Sequence, residues 1–350
     1  MTDYLIIGSG LAGIAFAETA LQNGKTIKVI DDYSQNSSEV AGGMYNPVIL
    51  KRFTASWKAK EFLAYSDEFY ANIATKLNTN FDTKLPVYRK FYSIEEQNSW
   101  FEASDKPSLS NFLSDKIIQN SFEGINAPYG YGQVFQTGYI DTRLLLTTYR
   151  NYLLTNNNLK QETFNYNELL YYPDYVMYNN EKYSQIIFAE GFGLLKNPFF
   201  NRLPLDGTKG ELLLIKASGL KFNAIVKSKV FILPLGNDFF KVGATYDWVN
   251  KNPEPTEAGK QELLAGLKEL ISVDFEIVEH LAGIRPTVKD RRPMVGSHPK
   301  HSRMYVLNGL GTRGVMLAPS MAKYLYEFIE NQTLLDPLID IKRYRKINWD

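Results

Sequence analysis

Tyr4-Leu5-Ile6-Ile7 is a continuous apolar run, the pattern of a strand buried on both faces, and it passes without a spacer into Gly8-Ser9-Gly10-Leu11-Ala12-Gly13. The stretch from Leu11 to about Asn23 is rich in small residues (Ala12, Ala15, Ala17, Ala20) that let a helix lie close on a sheet, and Gly24 can supply its left-handed stop. Residues 26–30 form a second apolar run that ends at Asp31 and Asp32. Further along, the spacing predicts helices over about 55–77, 95–103 and 143–154 and strands over 86–93 and 185–189, while residues 104–133 show no period. Between 209 and 245 the pattern changes to short strands (211–215, 230–233, 239–244) separated by polar turns, which is antiparallel spacing. A helix over 257–271 and a strand approaching Gly283 follow. A strand over 304–307, a glycine loop and a helix to about Asn331, with Leu317, Met321, Leu325, Phe328 and Ile329 on its buried face, then restore the α/β order. The prediction is a Rossmann-like α/β domain for binding FAD or NAD(P), built from residues 1–75, 135–205 and 285–350, with an inserted antiparallel-sheet substrate domain (α+β) from 76–134 and 206–284.

The glycines carry candidate chemistry. Gly8 turns the chain, Gly10 lets a pyrophosphate approach the backbone, Gly13 lets helix and strand touch, and Asp31 or Asp32 stands where a carboxylate accepts hydrogen bonds from ribose hydroxyls. The helix N-terminus opened by Ser9, Leu11 and Ala12 favours phosphate charge. Ala41-Gly42-Gly43-Met44 and the turn at Gly191 are further places where backbone comes close to something flat or anionic. The late unit Gly311-Thr312-Arg313-Gly314-Val315-Met316 decides between dinucleotides. A second helix N-terminus stabilises charge on a reduced isoalloxazine, a need that a nicotinamide does not have, so the expected cofactor is FAD.

Composition narrows the field. The 350 residues carry a formal net charge of +1, with 44% apolar and 22% charged residues, an ordinary globular balance that gives no long-range field toward nucleic acid. No cysteine and only three histidines (His280, His298, His301) exclude disulfides and thiolate sites and leave no credible metal site. With no cysteine and no histidine before residue 280, the flavin is expected to be non-covalently bound. No apolar run reaches the length of a membrane span and no leader is evident, so a cytoplasmic protein is expected.

In order, the opening fingerprint, Ala41-Gly42-Gly43, Gly138-Tyr139-Ile140-Asp141, Lys209-Gly210-Glu211, Gly243-Ala244-Thr245, Gly283-Ile284-Arg285-Pro286 with Asp290 and Pro293, and Ala318-Pro319 resemble the D-amino-acid-oxidase-like family of FAD enzymes over nearly the whole chain. The likeness is nearest to its glycine oxidase and tRNA carboxymethylaminomethyl-uridine branches. The resemblance implies hydride transfer from the carbon next to an amine nitrogen to flavin N5, giving an imine that water hydrolyses, with oxygen or another acceptor taking the electrons. It implies Arg285 as the bidentate clamp on the carboxylate of a small-molecule amine. The alternative for Arg285 is an ion pair with Asp290. Lys241 matches a lysine that promotes flavin reoxidation in sarcosine oxidases, and Arg313 is a further candidate catalytic residue. Phe231 departs from the family, because glycine oxidases carry a carboxylate-binding tyrosine there. Other readings stay open: a tRNA-modifying oxidoreductase, for which the tail cluster Lys342, Arg343, Arg345 and Lys346 is a candidate contact, a flavin-binding protein without turnover, and an NAD dehydrogenase.

Overall fold

The protein is described from a computed structural model covering residues 1–119 and 122–349. The apolar run Thr2–Ile7 is the centre of a mainly parallel sheet, pairing with Ile27–Asp31 on one side and Glu181–Phe188 on the other. Leu159–Gln161 extends the sheet beyond Ile27–Asp31, and Met304–Asn308 extends it beyond Glu181–Phe188. Successive side chains of a strand point to opposite faces. Tyr4 and Ile6 therefore bury themselves under Leu11–Gln22, Ala59–Leu77, Thr142–Thr155 and Gly314–Asn331, whereas Leu5 and Ile7 meet an aromatic layer that includes Phe164, Phe188 and Phe200. The Gly314–Asn331 helix packs directly on Leu11–Gln22, with the predicted residues Leu317, Met321 and Leu325 buried and Phe328 and Ile329 partly so.

The second large sheet is ordered Glu276–Arg285, Thr208–Lys216, Phe239–Gly243, Phe231–Gly236, Ile225–Lys227, Val87–Lys90, Tyr131–Val134, Leu113–Ile118. It is antiparallel except where Ile225–Lys227 runs parallel to Val87–Lys90. The stretch without visible period supplies its last two strands. They are held by Trp100, a fully buried ring whose Nε1 donates to the Ser114 carbonyl at 2.8 Å. In Thr208–Lys216 the alternation sends Leu213 and Ile215 under the helix Glu257–Leu270 and turns Leu212 to the opposite face, toward Val40 and Phe231.

The basic tail packs back through Ile341 and Arg343, while Lys342, Arg345 and Lys346 are exposed. Ile341 is buried and Arg343 Nε lies 3.0 Å from a carboxylate oxygen of Asp290. Among the described residues no helix is long and apolar enough to cross a membrane.

The contact most sensitive to sequence is helix against strand at the first turn. A Cβ on Gly13 would lie 1.9 Å from the carbonyl oxygen of Gly8, which itself has φ +100°. We expect Gly13→Ala to lower unfolding free energy by about 1–3 kcal/mol through overpacking, measured as a fall in the urea midpoint at unchanged slope. A midpoint equal to the parent's would show that the helix can withdraw freely.

Candidate cofactor and substrate site

A long cleft opens at the carboxyl ends of the parallel strands and runs on between the two sheets. Gly8, Gly10, Leu11 and Ala12 line its middle, Asp31 and Asp32 one end, and Ala41, Gly42, Gly43 and Met44 the side facing the second sheet. Gly191, Gly311, Thr312, Gly314 and Val315 complete the wall, and Arg285 stands at the far end with Gly210, Leu212, Phe231, Ala244 and Tyr246.

Several expected residues sit behind this wall. Ser9 is fully buried, and its backbone N and Oγ donate to Asp31 Oδ2 at 2.6 and 2.5 Å. The Arg150 Nε donates to the same Ser9 Oγ at 2.8 Å, and its guanidinium pairs with Glu39. Asp31, expected to accept from ribose hydroxyls, lines the cleft and is also held by the turn residue Ser9. Asp32 likewise accepts from the Ser34 N–H at 2.9 Å and the Thr163 hydroxyl at 3.0 Å. Gly13 and Met316 are packing residues, the latter 1% exposed. Arg313 caps the Gly314–Asn331 helix without facing the cleft, and burial, together with Arg292 and Arg291, pulls its pKa down. Lys241 lies behind Ala41, whose carbonyl accepts from its Nζ at 3.4 Å, and burial lowers its pKa.

Sequence reading passed over Glu162, Thr163, Tyr166, Glu190, Lys196 and Tyr246 as site residues, all on the cleft wall. Glu190 follows a predicted strand directly, which was the available signal. Its oxygens accept from Asn197 Nδ2 at 2.7 Å and from the Tyr166 hydroxyl. Burial pushes its carboxyl up to about 7, against the lowering effect of those two hydrogen bonds.

Arg285 is the most informative group. Its Nη1 makes two long bonds, 3.2 Å to the Thr245 carbonyl and 3.4 Å to that of Lys209, and its guanidinium stacks 4.6 Å from the Tyr246 ring centre. Burial lowers its pKa, and Asp290, the partner in the alternative reading, is paired with Arg343 instead. Among the described residues no carboxylate pairs with Arg285. Arg285 is half-buried, and a guanidinium without a counter-ion favours an anion beside it.

A profile of the FAD dependent oxidoreductase family DAO matches residues 3–328. The chain belongs to this family. It is 23% identical, over 95% of its own length, to the tRNA 5-methylaminomethyl-2-thiouridine biosynthesis bifunctional protein of Legionella pneumophila, and it covers only 55% of that relative. It thus spans about half the length of the first curated relatives it matches. Glycine oxidase of Bacillus subtilis is 20% identical, with 94% of this chain and 93% of the relative aligned. The crystal structure of glycine oxidase from Geobacillus kaustophilus superposes with a TM-score of 0.78 at 16% identity, covering 96% of each chain.

FAD is the cofactor of the DAO family, and the cleft fits it. The helix Leu11–Gln22 points its N-terminus at the cleft with no acidic residue in its first turn and no side-chain cap from Gly10; the Leu11 N–H donates to Ser38 Oγ at 3.3 Å, and the helix terminus favours a pyrophosphate there. Gly10 and Gly191 form a cradle that side chains would fill: a Cβ on Gly10 meets only Ser38 Oγ at 3.2 Å, and one on Gly191 meets nothing within 4 Å.

Glu190 makes this DAO protein pH-sensitive before it binds anything. Because its carboxyl is raised from 4.5 to about 7, folding favours its protonated form. That contribution is whole below pH 4.5 and is lost as pH rises through 7. We expect cofactor-free Glu190→Gln to match the parent near pH 4.5 and to exceed it at pH 8 by on the order of 3 kcal/mol, as read from urea unfolding. A difference that does not change with pH would remove Glu190 as the source.

Proposed function

We propose that this protein oxidises the C–N bond of a small amine that carries a carboxylate, an N-substituted glycine or an amino acid, using non-covalently bound FAD. The observation that carries this reading is Arg285, a guanidinium without a carboxylate partner on the cleft wall, next to Pro286, whose carbonyl accepts from the Gly311 N–H at 3.0 Å. The names of the glycine oxidase relatives point the same way. When bound, FAD supplies a hydride acceptor for the carbon next to nitrogen. Arg285 holds the carboxylate through two parallel bonds and so fixes which C–H faces the acceptor. Leu212, Phe231 and Ala244 form an apolar wall beside it that excludes water. Among the described residues no histidine lines the cleft; in this reading the amine enters unprotonated and its imine product is hydrolysed by solvent water.

Arg285→Lys should retain FAD but weaken reduction by the substrate, since a point charge cannot reproduce the fork. The expected loss is on the order of 2–5 kcal/mol. Anaerobic bleaching of the yellow holoprotein across N-substituted glycines, D-amino acids, proline and modified tRNA identifies the substrate, and an Arg285→Lys profile equal to the parent's would refute the clamp. The tRNA arm is included because Arg313 stands with Arg291 and Arg292, a concentration of positive charge that suits a phosphate-bearing substrate.

Lys241 keeps an ammonium behind the Ala41 carbonyl, on the side of the cleft where that turn meets the second sheet. A fixed cation there favours reoxidation by oxygen. With Lys241→Met, anaerobic reduction should stay nearly intact while stopped-flow reoxidation slows at least about tenfold, roughly 1.4 kcal/mol of barrier. Reoxidation at the parent's rate would leave Lys241 a structural residue.

A further inference from the structure

We propose that Tyr246 is a positioning residue for the carboxylate subsite: it holds the Arg285 guanidinium in the orientation that leaves its edge free for the substrate. The inference rests on the reading of Arg285 as the carboxylate clamp. Four contacts fix this guanidinium and none is with a carboxylate. The carbonyls of Lys209 and Thr245 take Nη1. Gly210 lies against it so closely that a Cβ there would stand 1.9–2.3 Å from its two terminal nitrogens and central carbon. The Tyr246 ring stacks on it at 4.6 Å. An aromatic ring attracts the cation without consuming an N–H donor, so Nε and Nη2 remain available for a two-point bond to a carboxylate. Leu212, Phe231 and Ala244 on the same wall have no polar side-chain atom to do the job instead.

Tyr246 is 58% exposed, and an exposed ring can orient its neighbour only if its own backbone is fixed. The loop that carries it is fixed. Lys209 N and O exchange hydrogen bonds with Asp247 O and N at 2.9 and 3.0 Å, and the fully buried Lys209 ammonium donates to the Glu254 carbonyl at 2.5 Å with Glu211 at 3.4 Å. The Asp247 carboxylate accepts from the Val249 and Asn250 N–H groups, and Lys251 Nζ reaches the Gly207 and Trp248 carbonyls, each at 2.7 Å. A buried ion pair contributes little to stability compared with apolar packing. The Lys209–Glu211 pair lies within one strand, and the Tyr246 loop is tied to that strand by the Lys209–Asp247 backbone bonds and by the Lys209 ammonium on the Glu254 carbonyl.

The test uses the FAD-loaded protein and glycolate, a carboxylate that lacks an amine, titrated anaerobically and followed by the change in flavin absorbance. Tyr246→Ala and Tyr246→Leu should weaken glycolate about tenfold, and Tyr246→Phe, which keeps the ring, should stay within about twofold of the parent. With a reducing substrate from the bleaching screen, Tyr246→Ala should raise KM with little change in kcat. In an Arg285→Met background, Tyr246→Ala should weaken glycolate no further, because its effect passes through the guanidinium. Glycolate binding within twofold of the parent in both Tyr246→Ala and Tyr246→Leu, alongside a large loss in Arg285→Met, overturns the role of Tyr246 alone. An equal additional loss in the Arg285→Met background also overturns it, by showing a direct contact. Glycolate affinity that survives Arg285→Met, or a parent that glycolate does not perturb, overturns the clamp itself.

Discussion

Everything at the nucleotide end depends on one steric condition, the contact of the Leu11–Gln22 helix with the turn that precedes it. Because Gly13 has no side chain, the helix comes to rest against the Gly8 carbonyl. Gly8 in turn lies against Ala189, where a Cβ would be 2.6 Å from the carbonyl oxygen. The ends of three neighbouring strands are thereby drawn together, and the cleft forms where they stop. Ser9, Asp31 and Arg150 then lock the turn with hydrogen bonds centred on the buried Ser9 hydroxyl.

The substrate end is built on a different rule, the alternation of a strand. Lys209 and Glu211 turn toward the loop and helix over residues 254–270, while Gly210 and Leu212 face the cleft. The same nine-residue strand, Thr208–Lys216, therefore brings a buried ion pair to one side and a bare surface for Arg285 to the other. Charge that could have neutralised the guanidinium is directed away from it, and the cleft keeps an unmatched cation.

These two ends were not equally legible in the sequence. The nucleotide unit could be read because each of its demands falls on adjacent residues: apolar run, glycines, small residues, acid. The antiparallel strands over 208–243 were visible for the same local reason, whereas Leu113–Ile118 and Tyr131–Val134 were not, since Trp100 and a glycine opposite it define them through space. Arg285 came from the Gly-Ile-Arg-Pro turn and a family likeness. Of its surroundings, Gly210 lay in the Lys209-Gly210-Glu211 landmark with nothing to tie it to Arg285, and Tyr246, in a loop beyond the Phe239–Gly243 strand, had no signature. Lys241, Arg313 and Met316 show the converse. Their places along the chain were suggestive, yet strand and helix geometry puts their side chains outside the wall.

The packing of Gly314–Asn331 on Leu11–Gln22 has a consequence for biosynthesis. Gln22 and Gly314 are 292 positions apart (314 − 22), so at about 5–20 residues per second the ribosome needs on the order of 15–60 seconds between them. Through that interval the first helix has formed its turn but lacks the apolar partner that covers its outer side. The nascent chain therefore offers a nearly finished βαβ unit with one greasy flank to whatever attends the exit tunnel. Translation speed along the middle of the message, and not the intrinsic folding rate of the opening motif, sets how long that flank is open.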